Sequence, residues 1–292
     1  MIDLHIHTNY SDGSDSLIDV LKKAEKLNLK YISITDHENC RAYEELSNID
    51  ISQYYTGKII PGVELKAGYN GKIIDILGYK IDTYKMQQWL DEFYKDKSHE
   101  QIQQKYFDIL YQRCKQIDLT IKEKDNIKFN PKKDWAKVVI FEEIRSYKEN
   151  HDKLPQDMLQ DFNTFSKKYC ADKDNIFYID RTKDYPTVQE VINVIKDCNG
   201  LVFLPHVYIY SWIENIDEYI KIFLDDYKID GLECFHSYFN QEQIEHLLNT
   251  CKNKKVFISG GSDYHGENKV SIKLAYGKEN LKIDEKYIKD WA

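Results

Sequence analysis

Proline and glycine are scarce in this 292-residue chain, 5 and 12 in all, which excludes collagen-like and linker-rich architectures. Long apolar runs are missing as well. No stretch approaches the roughly 18 residues of a membrane-spanning helix. The opening Met1-Ile2-Asp3-Leu4-His5 lacks the basic start and long apolar segment expected of a secretory leader. The six cysteines show no CxxC or zinc-ribbon spacing, so they read as reduced thiols of a cytoplasmic protein. Nor is there an excess of basic charge. A formal net charge of −8 argues against a clamp for duplex nucleic acid, while leaving room for a short nucleotide held through metal ions. What the chain does have is apolar and aromatic mass. With 42% hydrophobic residues and 23 tyrosines it can bury a large core, which excludes disorder over most of its length.

The hydrophobic pattern changes character twice. Ile2 to His7, Tyr31 to Thr35, Lys58 to Val63 and Ile73 to Leu77 read as strands. Leu17, Val20, Leu21, Ala24 and Leu27 recur at helical spacing behind Ser16, a candidate N-cap. From about Lys85 to Tyr185 the pattern is helical, as in Ile102, Tyr106, Ile109, Leu110, Cys114 and Ile117, and no strand is convincing. Between Lys85 and Asp184 lie 20 basic and 19 acidic residues, against 21 and 30 in the remainder. The acidity therefore belongs to the flanking parts. Strand and helix signals then resume. Thr187 with Glu190 and Asn240 with Gln243 form capping boxes, and Leu201 to Leu204, Ile229 to Phe235 and Val256 to Ser259 read as strands. The reading is an α/β body made of residues 1–84 and 186–292, interrupted by a helical insertion over 85–185.

Six of the nine histidines fall where a predicted strand gives way to a loop. His5 and His7, two apart, point to one side of a strand and can converge on one ion. His37 follows the second strand, Glu64 ends the third, and His206 and His236 end later ones. Asp263 and His265, again two apart, follow the last, while Asp12 lies in the Ser11-Asp12-Gly13 turn. Catalytic loops gather at that edge of barrels and open α/β sheets. Imidazole and carboxylate without thiolate suit Mn, Fe or Zn in an open catalytic site. The set is too large for one ion, and a bridging carboxylate such as Glu64 lets two or three share it. His99, His151 and His246 stand in charged helical surroundings and read as solvent-facing. No GxGxxG, Walker or GxSxG pattern offers a competing chemistry.

Taken together, Asp3-Leu-His5-Ile-His7, Ser11-Asp12-Gly13, Thr35-Asp36-His37, Pro61-Gly-Val-Glu64, Ile76-Leu-Gly-Tyr79, Leu204-Pro-His206, Gly231-Leu-Glu233 and Gly260-Gly-Ser-Asp263-Tyr-His265-Gly266 resemble the PHP (polymerase and histidinol phosphatase) family of metal-dependent phosphoesterases. The resemblance implies an α/β fold of distorted (β/α)7 TIM-like barrel type with a helical insertion. It also implies a trinuclear site. His5, His7, Glu64 and Asp263 would hold one ion. Glu64, His206 and Asp75, where the family usually has a histidine, would hold a second. Asp12, His37 and His265 would hold a third. A carboxylate at Asp75 favours the harder Mn or Fe over Zn.

The insertion looks like that of the subgroup acting on nucleoside 3′,5′-bisphosphates and 5′-phosphorylated RNA ends. The Arg-Pro-His element common in that subgroup is missing here, and Lys137 stands roughly in its place as a phosphate contact. The implied activity is hydrolysis of a phosphomonoester of a small molecule, nucleotide or short oligonucleotide by metal-activated water, with no membrane partner. His236 would bind phosphate or protonate the leaving group, and Asp36 would orient an imidazole. Three alternatives stand beside it: a histidinol-phosphate phosphatase, a C–N hydrolase on a similar barrel, and a non-catalytic metal-binding module. The C–N hydrolases usually bridge their ions with a carbamylated lysine or an aspartate, where this chain has Glu64.

Overall fold

The structure is a computed structural model that describes residues 1–277 and 281–292. The chain divides into one unit of Met1–Asp91 with Tyr185–Ala292 and a second of Glu92–Asp184.

The first unit is α/β. Its strands are β1 (Ile2–Ile6), β2 (Tyr31–Ile34), β3 (Lys58–Ile59), β4 (Gly62–Tyr69), β5 (Lys72–Tyr79), β6 (Leu201–Leu204), β7 (Gly231–His236) and β8 (Phe257–Gly261). They form two sheets, a parallel one in the order β1-β2-β3 and a mixed one in the order β4-β5-β6-β7-β8. Single bridges join them at His37–Glu64 and Ile6–Tyr264. The ladders do not close into one ring, so the α/β expectation holds while the closed barrel is not drawn by the hydrogen bonds. Pro61 accounts for one gap. It splits the stretch expected as a single strand from Lys58 to Val63, because a proline nitrogen has no hydrogen for a ladder. The hydroxyl of Tyr43 fills in, accepting from Gly62 N (2.8 Å) and donating to Ile34 O (2.7 Å).

Local chemistry fixes the helices that cover these sheets. Ser16 accepts from Asp19 N (3.2 Å) and starts the helix Leu17–Lys26, which buries Leu17, Val20, Leu21 and Ala24. Thr187 and Glu190 cap each other's backbone ahead of the helix Val188–Asp197. Asn199, at φ 60°, then turns the chain in the left-handed region before β6. The helix Thr83–Tyr94 begins in the first unit, where Gln87 Oε1 accepts from Cys40 N (2.7 Å). The first unit runs to Asp91.

Two irregularities aim side chains. On β1 three steps, Asp3 to Ile6, oppose two on β2. On β7 Glu233 pairs with Ser259 and Phe235 with Gly260, leaving Cys234 as an extra residue. A bulge of this kind lets Glu233 and His236, three apart, face the same side.

The second unit is helical, and no strand occurs among its described residues. The helices His99–Gln116 and Ala136–Arg145 pack Phe107, Leu110, Ile140, Phe141 and Ile144 with Phe165 and Phe177 into a separate core. Among the described residues no helix is long and apolar enough to cross a membrane.

All six cysteines are buried, and burial pushes the Cys114 thiol up to about 12. In the native protein none should react with an aromatic disulfide dye within minutes, and six should react in denaturant. A thiol that titrates in the native state would contradict this packing.

Candidate metal centre

The centre is built on Glu64, the third residue of β4, whose side chain is 1% exposed. Its Oε2 lies 3.2 Å from His5 Nε2, 3.2 Å from His7 Nε2 and 3.3 Å from His37 Nδ1, and its Oε1 lies 2.9 Å from His206 Nε2. Four imidazoles from the ends of β1, β2 and β6 thus converge on one carboxylate. Asp263 Oδ1 approaches His7 Nε2 (3.4 Å), His265 Nδ1 (3.5 Å) and His5 Nε2 (3.6 Å). Asp12 stands opposite, 3.2 Å from His265 Nε2, 3.6 Å from His7 Nδ1 and 3.7 Å from His37 Nε2.

Burial and charge set the protonation of these groups. Burial works against the imidazolium of His7, yet Asp263 and Glu64 outweigh it and raise its pKa to about 9. His5 is raised likewise, burial again being overcome by Glu64 and Glu233. Burial also opposes the Glu64 anion, but His5, His37 and His206 hold it well below the ordinary range. For His37 burial prevails and lowers it to about 3. The pattern is that of buried carboxylates that require positive charge beside them.

Three overlapping groups could hold an ion: His7, Asp12, His37 and His265; His5, His7 and Glu64; and Glu64, Asp75 and His206. In each, one ligand atom per residue lies within 4.8 Å of the others. The donor atoms fit divalent cations. His5 Nδ1 donates to Glu233 Oε1 (2.8 Å), and His265 Nδ1 donates to the backbone O of Asp263 (2.8 Å). Each ring, when neutral, therefore turns the lone pair of Nε2 toward a carboxylate. Lone pairs facing anions need a cation between them, and His5 Nε2, His7 Nδ1 and Nε2, His37 Nδ1 and His265 Nε2 are all buried without a hydrogen-bond partner.

The remaining sequence expectations fare differently. Asp75, on β5, keeps Oδ1 buried and unpartnered, lies 4.0 Å from His206 Nε2 and accepts from the Tyr210 hydroxyl (3.0 Å). His236 is buried, with Nε2 3.6 Å from Asp263 Oδ2. Asp36 requires a correction, since its partners are not imidazoles. It accepts from Thr8 N (2.7 Å), Thr8 Oγ1 (2.6 Å) and Ser11 Oγ (2.5 Å), and so it clamps the loop that carries Asp12. Neighbours in an extended chain point to opposite sides, so adjacency to His37 did not put the Asp36 carboxylate on that ring. Lys137 belongs to the second unit, where it is half-buried; burial and Arg181 lower its pKa against the opposing pull of Cys170.

Sequence reasoning missed several supports. Glu233 stood in a quoted motif without a role, yet it is buried and also accepts from His206 N (2.8 Å), tying two histidines together. Asp3 accepts from Ser262 N (2.9 Å), Ser262 Oγ (2.6 Å) and Ala275 N (2.7 Å), which holds the loop bearing Asp263. Lys269 donates to Asp263 Oδ2 (2.9 Å), and Lys66, opposite Asp75 across the β4–β5 ladder, pairs with Glu38 (3.5 Å). Alternation along β4 puts Lys66 on the Glu64 face, the one signal that could have found it.

The family model described as PHP domain matches residues 3–257. The chain belongs to the PHP domain family. Among solved structures, a Bifidobacterium adolescentis protein whose assignment as a metal-dependent phosphoesterase is itself an inference is 21% identical. The match has a TM-score of 0.59 and covers 98% of this chain and 95% of that one. An amidohydrolase of Chromobacterium violaceum, solved with bound sulfate and no metal, is 16% identical with a TM-score of 0.58, over 91% of this chain and 88% of that one. A search of curated proteins finds no match. At these identities the neighbours establish the fold of the PHP domain, and the chemistry has to be argued from its side chains.

Glu64 belongs to two of the three groups and Asp12 to one. Glu64→Gln should therefore lose more bound Mn²⁺ than Asp12→Asn when ion content is measured by mass spectrometry. Glu233→Gln, which leaves every candidate ligand in place, should weaken metal affinity by about 10- to 100-fold in calorimetric titration. Unchanged affinity in that variant would mean that Glu233 is a structural acid only.

Proposed function

We propose that this PHP domain is a metal-dependent phosphoesterase that hydrolyses a phosphomonoester of a small molecule or nucleotide. The observation that carries the reading is one buried carboxylate, Glu64, shared by two overlapping His/carboxylate groups next to a third. That is the donor arrangement multi-ion hydrolysis requires. His5, His7, Asp12, His37, Glu64, Asp75, His206, Asp263 and His265 would hold two or three divalent ions, with Mn or Fe favoured by the oxygen-rich Asp75 position. When bound, such ions supply the positive charge that brings the pKa of water to about 7 and neutralises phosphoryl oxygens.

The other residues place and hold this apparatus. Glu233 fixes the tautomer of His5, and Asp36 and Asp3 hold the loops that present Asp12 and Asp263. His236 Nδ1 accepts from Tyr238 N (3.2 Å), so the proton of the neutral ring sits on Nε2, and burial lowers the pKa of this ring. A neutral ring is a hydrogen-bond donor and a poor acid. Of the two roles expected for His236, binding a phosphoryl oxygen therefore fits better than protonating the leaving group. In this acidic chain, the positive charge that draws the substrate would come from bound ions. Within this reading the substrate would be a nucleoside 3′,5′-bisphosphate or a short 5′-phosphorylated oligonucleotide, with histidinol phosphate as the alternative.

Phosphate release in Mn²⁺ should be measured on adenosine 3′,5′-bisphosphate, a short 5′-phosphorylated RNA, histidinol phosphate and an aryl phosphate, with an acyl amide as the competing chemistry. One phosphoester should turn over, and His37→Ala should lower kcat/KM by about 100-fold or more. Cleavage of the amide alone would overturn the reading. His236→Ala should lower kcat/KM by about 100-fold, equally for aryl and alkyl esters. A loss confined to alkyl esters would make His236 the proton donor instead.

A further inference from the structure

Two lysines beside the candidate centre differ in how they are engaged. Lys269 donates to Asp263 Oδ2 at 2.9 Å and is thereby committed to a prospective ion ligand. Lys66 is held more loosely. Its ammonium lies 3.5 Å from Glu38 Oε2, and its side chain is 27% exposed. We infer that the Lys66 ammonium is a substrate contact, binding an oxygen of the phosphoryl group at the metal centre. This rests on the phosphoesterase reading above, but the anion binding can be tested apart from turnover.

Position carries the argument first. Lys66 stands two residues after Glu64 on β4, and alternation puts both side chains on one face. The β4–β5 ladder keeps an unbroken register here, with Lys66 directly opposite Asp75. Residues opposed in this way share a face, their Cβ atoms about 5 Å apart. Lys66 therefore flanks the group made by Glu64, Asp75 and His206.

Charge comes second. Burial opposes the ammonium, but Glu38, Asp75 and Glu64 outweigh it and raise its pKa, so the group is a cation throughout the neutral range. Its field reaches the centre. Burial and Glu64 push the Asp75 carboxyl up, while His206 and Lys66 pull against them. With an ion held by Asp75 that neutralisation is no longer needed, and Lys66 is left to face a bound anion. An ammonium has three N–H donors, and Glu38 can take only some of them.

The third observation is how the side chain is seated. Glu38 adopts φ 45°, a left-handed conformation that a non-glycine residue keeps only where its surroundings impose it. Here Glu38 N donates to Glu64 O (3.0 Å), and Glu38 Oε1 accepts from Lys66 N (2.7 Å). The turn after His37 is thus fastened to β4 at Glu64 and at Lys66, with Oε2 left for the ammonium. Glu38 is a positioning residue: it holds the cation in place before a ligand arrives, so little reorganisation is needed on binding. A lysine serving Glu38 alone would close to ordinary hydrogen-bond distance, as Lys269 does on Asp263.

The direct test is calorimetric titration of the Mn²⁺-loaded full chain with inorganic phosphate, alongside ion content by mass spectrometry. Phosphate should bind, and Lys66→Met should weaken it about 10- to 100-fold. Lys66→Arg, which keeps the charge, should lose less. Bound Mn²⁺ should not fall in Lys66→Met, because a positive charge beside the ion ligands has been removed. Unchanged phosphate affinity in Lys66→Met would overturn the contact. A loss of Mn²⁺ in step with phosphate would do so too, since Lys66 would then only maintain the ligand set. Adding Glu38→Gln to Lys66→Met should leave phosphate binding weak; recovery would reduce Lys66 to the counter-ion of Glu38. Turnover of a phosphoester by Lys66→Met with the kcat/KM of the unaltered chain would overturn the contact and leave the activity standing. Phosphate binding that depends on Lys66, without hydrolysis of any phosphoester, would keep the contact and sink the activity.

Discussion

A carboxylate buried among imidazoles is the constraint to which the rest of this fold answers. Glu64 has no direct access to water, and within 3.3 Å of its two oxygens stand nitrogens of His5, His7, His37 and His206. An isolated buried anion is so costly that it would take up a proton instead. Here it stays charged because three strand ends deliver four imidazoles to it. β4 supplies the acid, β1 and β6 lead into three of the histidines, and the chain after β2 supplies the fourth. One of the gaps between the two sheets lies there as well, bridged by the pair His37–Glu64.

Around that hub lies a ring of acids that touch backbone rather than prospective ions. Asp3, Asp36 and Glu233 are all buried and are all satisfied by hydrogen bonds. Each converts a flexible loop into a fixed platform, which is how a ligand set holds its geometry before an ion arrives. Two of the presented residues stand on unusual backbone. His206 has φ 29° and Asp263 has φ 58°. Conformations of this sort persist only where the surroundings over-determine them. The backbone N–H of His206 on Glu233 and the clamp of Asp3 on Ser262 are those surroundings.

Much of this was legible in the sequence, for a simple reason. Period-two alternation and strand-end placement are local signals, so His5 with His7 and Asp263 with His265 announce themselves. Capping boxes at Thr187 and Asn240 are local as well, and both form. What escaped depends on partners far along the chain. Glu233 acts on His5 across 228 positions, and Asp3 acts on Ser262 across 259. Asp36 was misread because nearness in sequence does not say on which side of the chain a carboxylate lies. The division of the third expected strand and the open ladders turned on Pro61 and on one tyrosine hydroxyl, a tertiary detail.

The extra residue in β7 has a consequence for how this strand can change. A regular strand keeps one phase, so that odd and even positions serve opposite faces from end to end. β7 runs in one phase up to Glu233 and in the other from Phe235 onward. Its first half therefore orients the metal centre and its second half presents His236 to the same centre, although the spacing of the two is odd. Substitutions along β7 act on one half at a time. Loss of a single residue there would act on both, restoring a uniform strand and turning His236 toward the opposite face. The length of this short segment is thus itself information, as exacting as the identity of any side chain it carries.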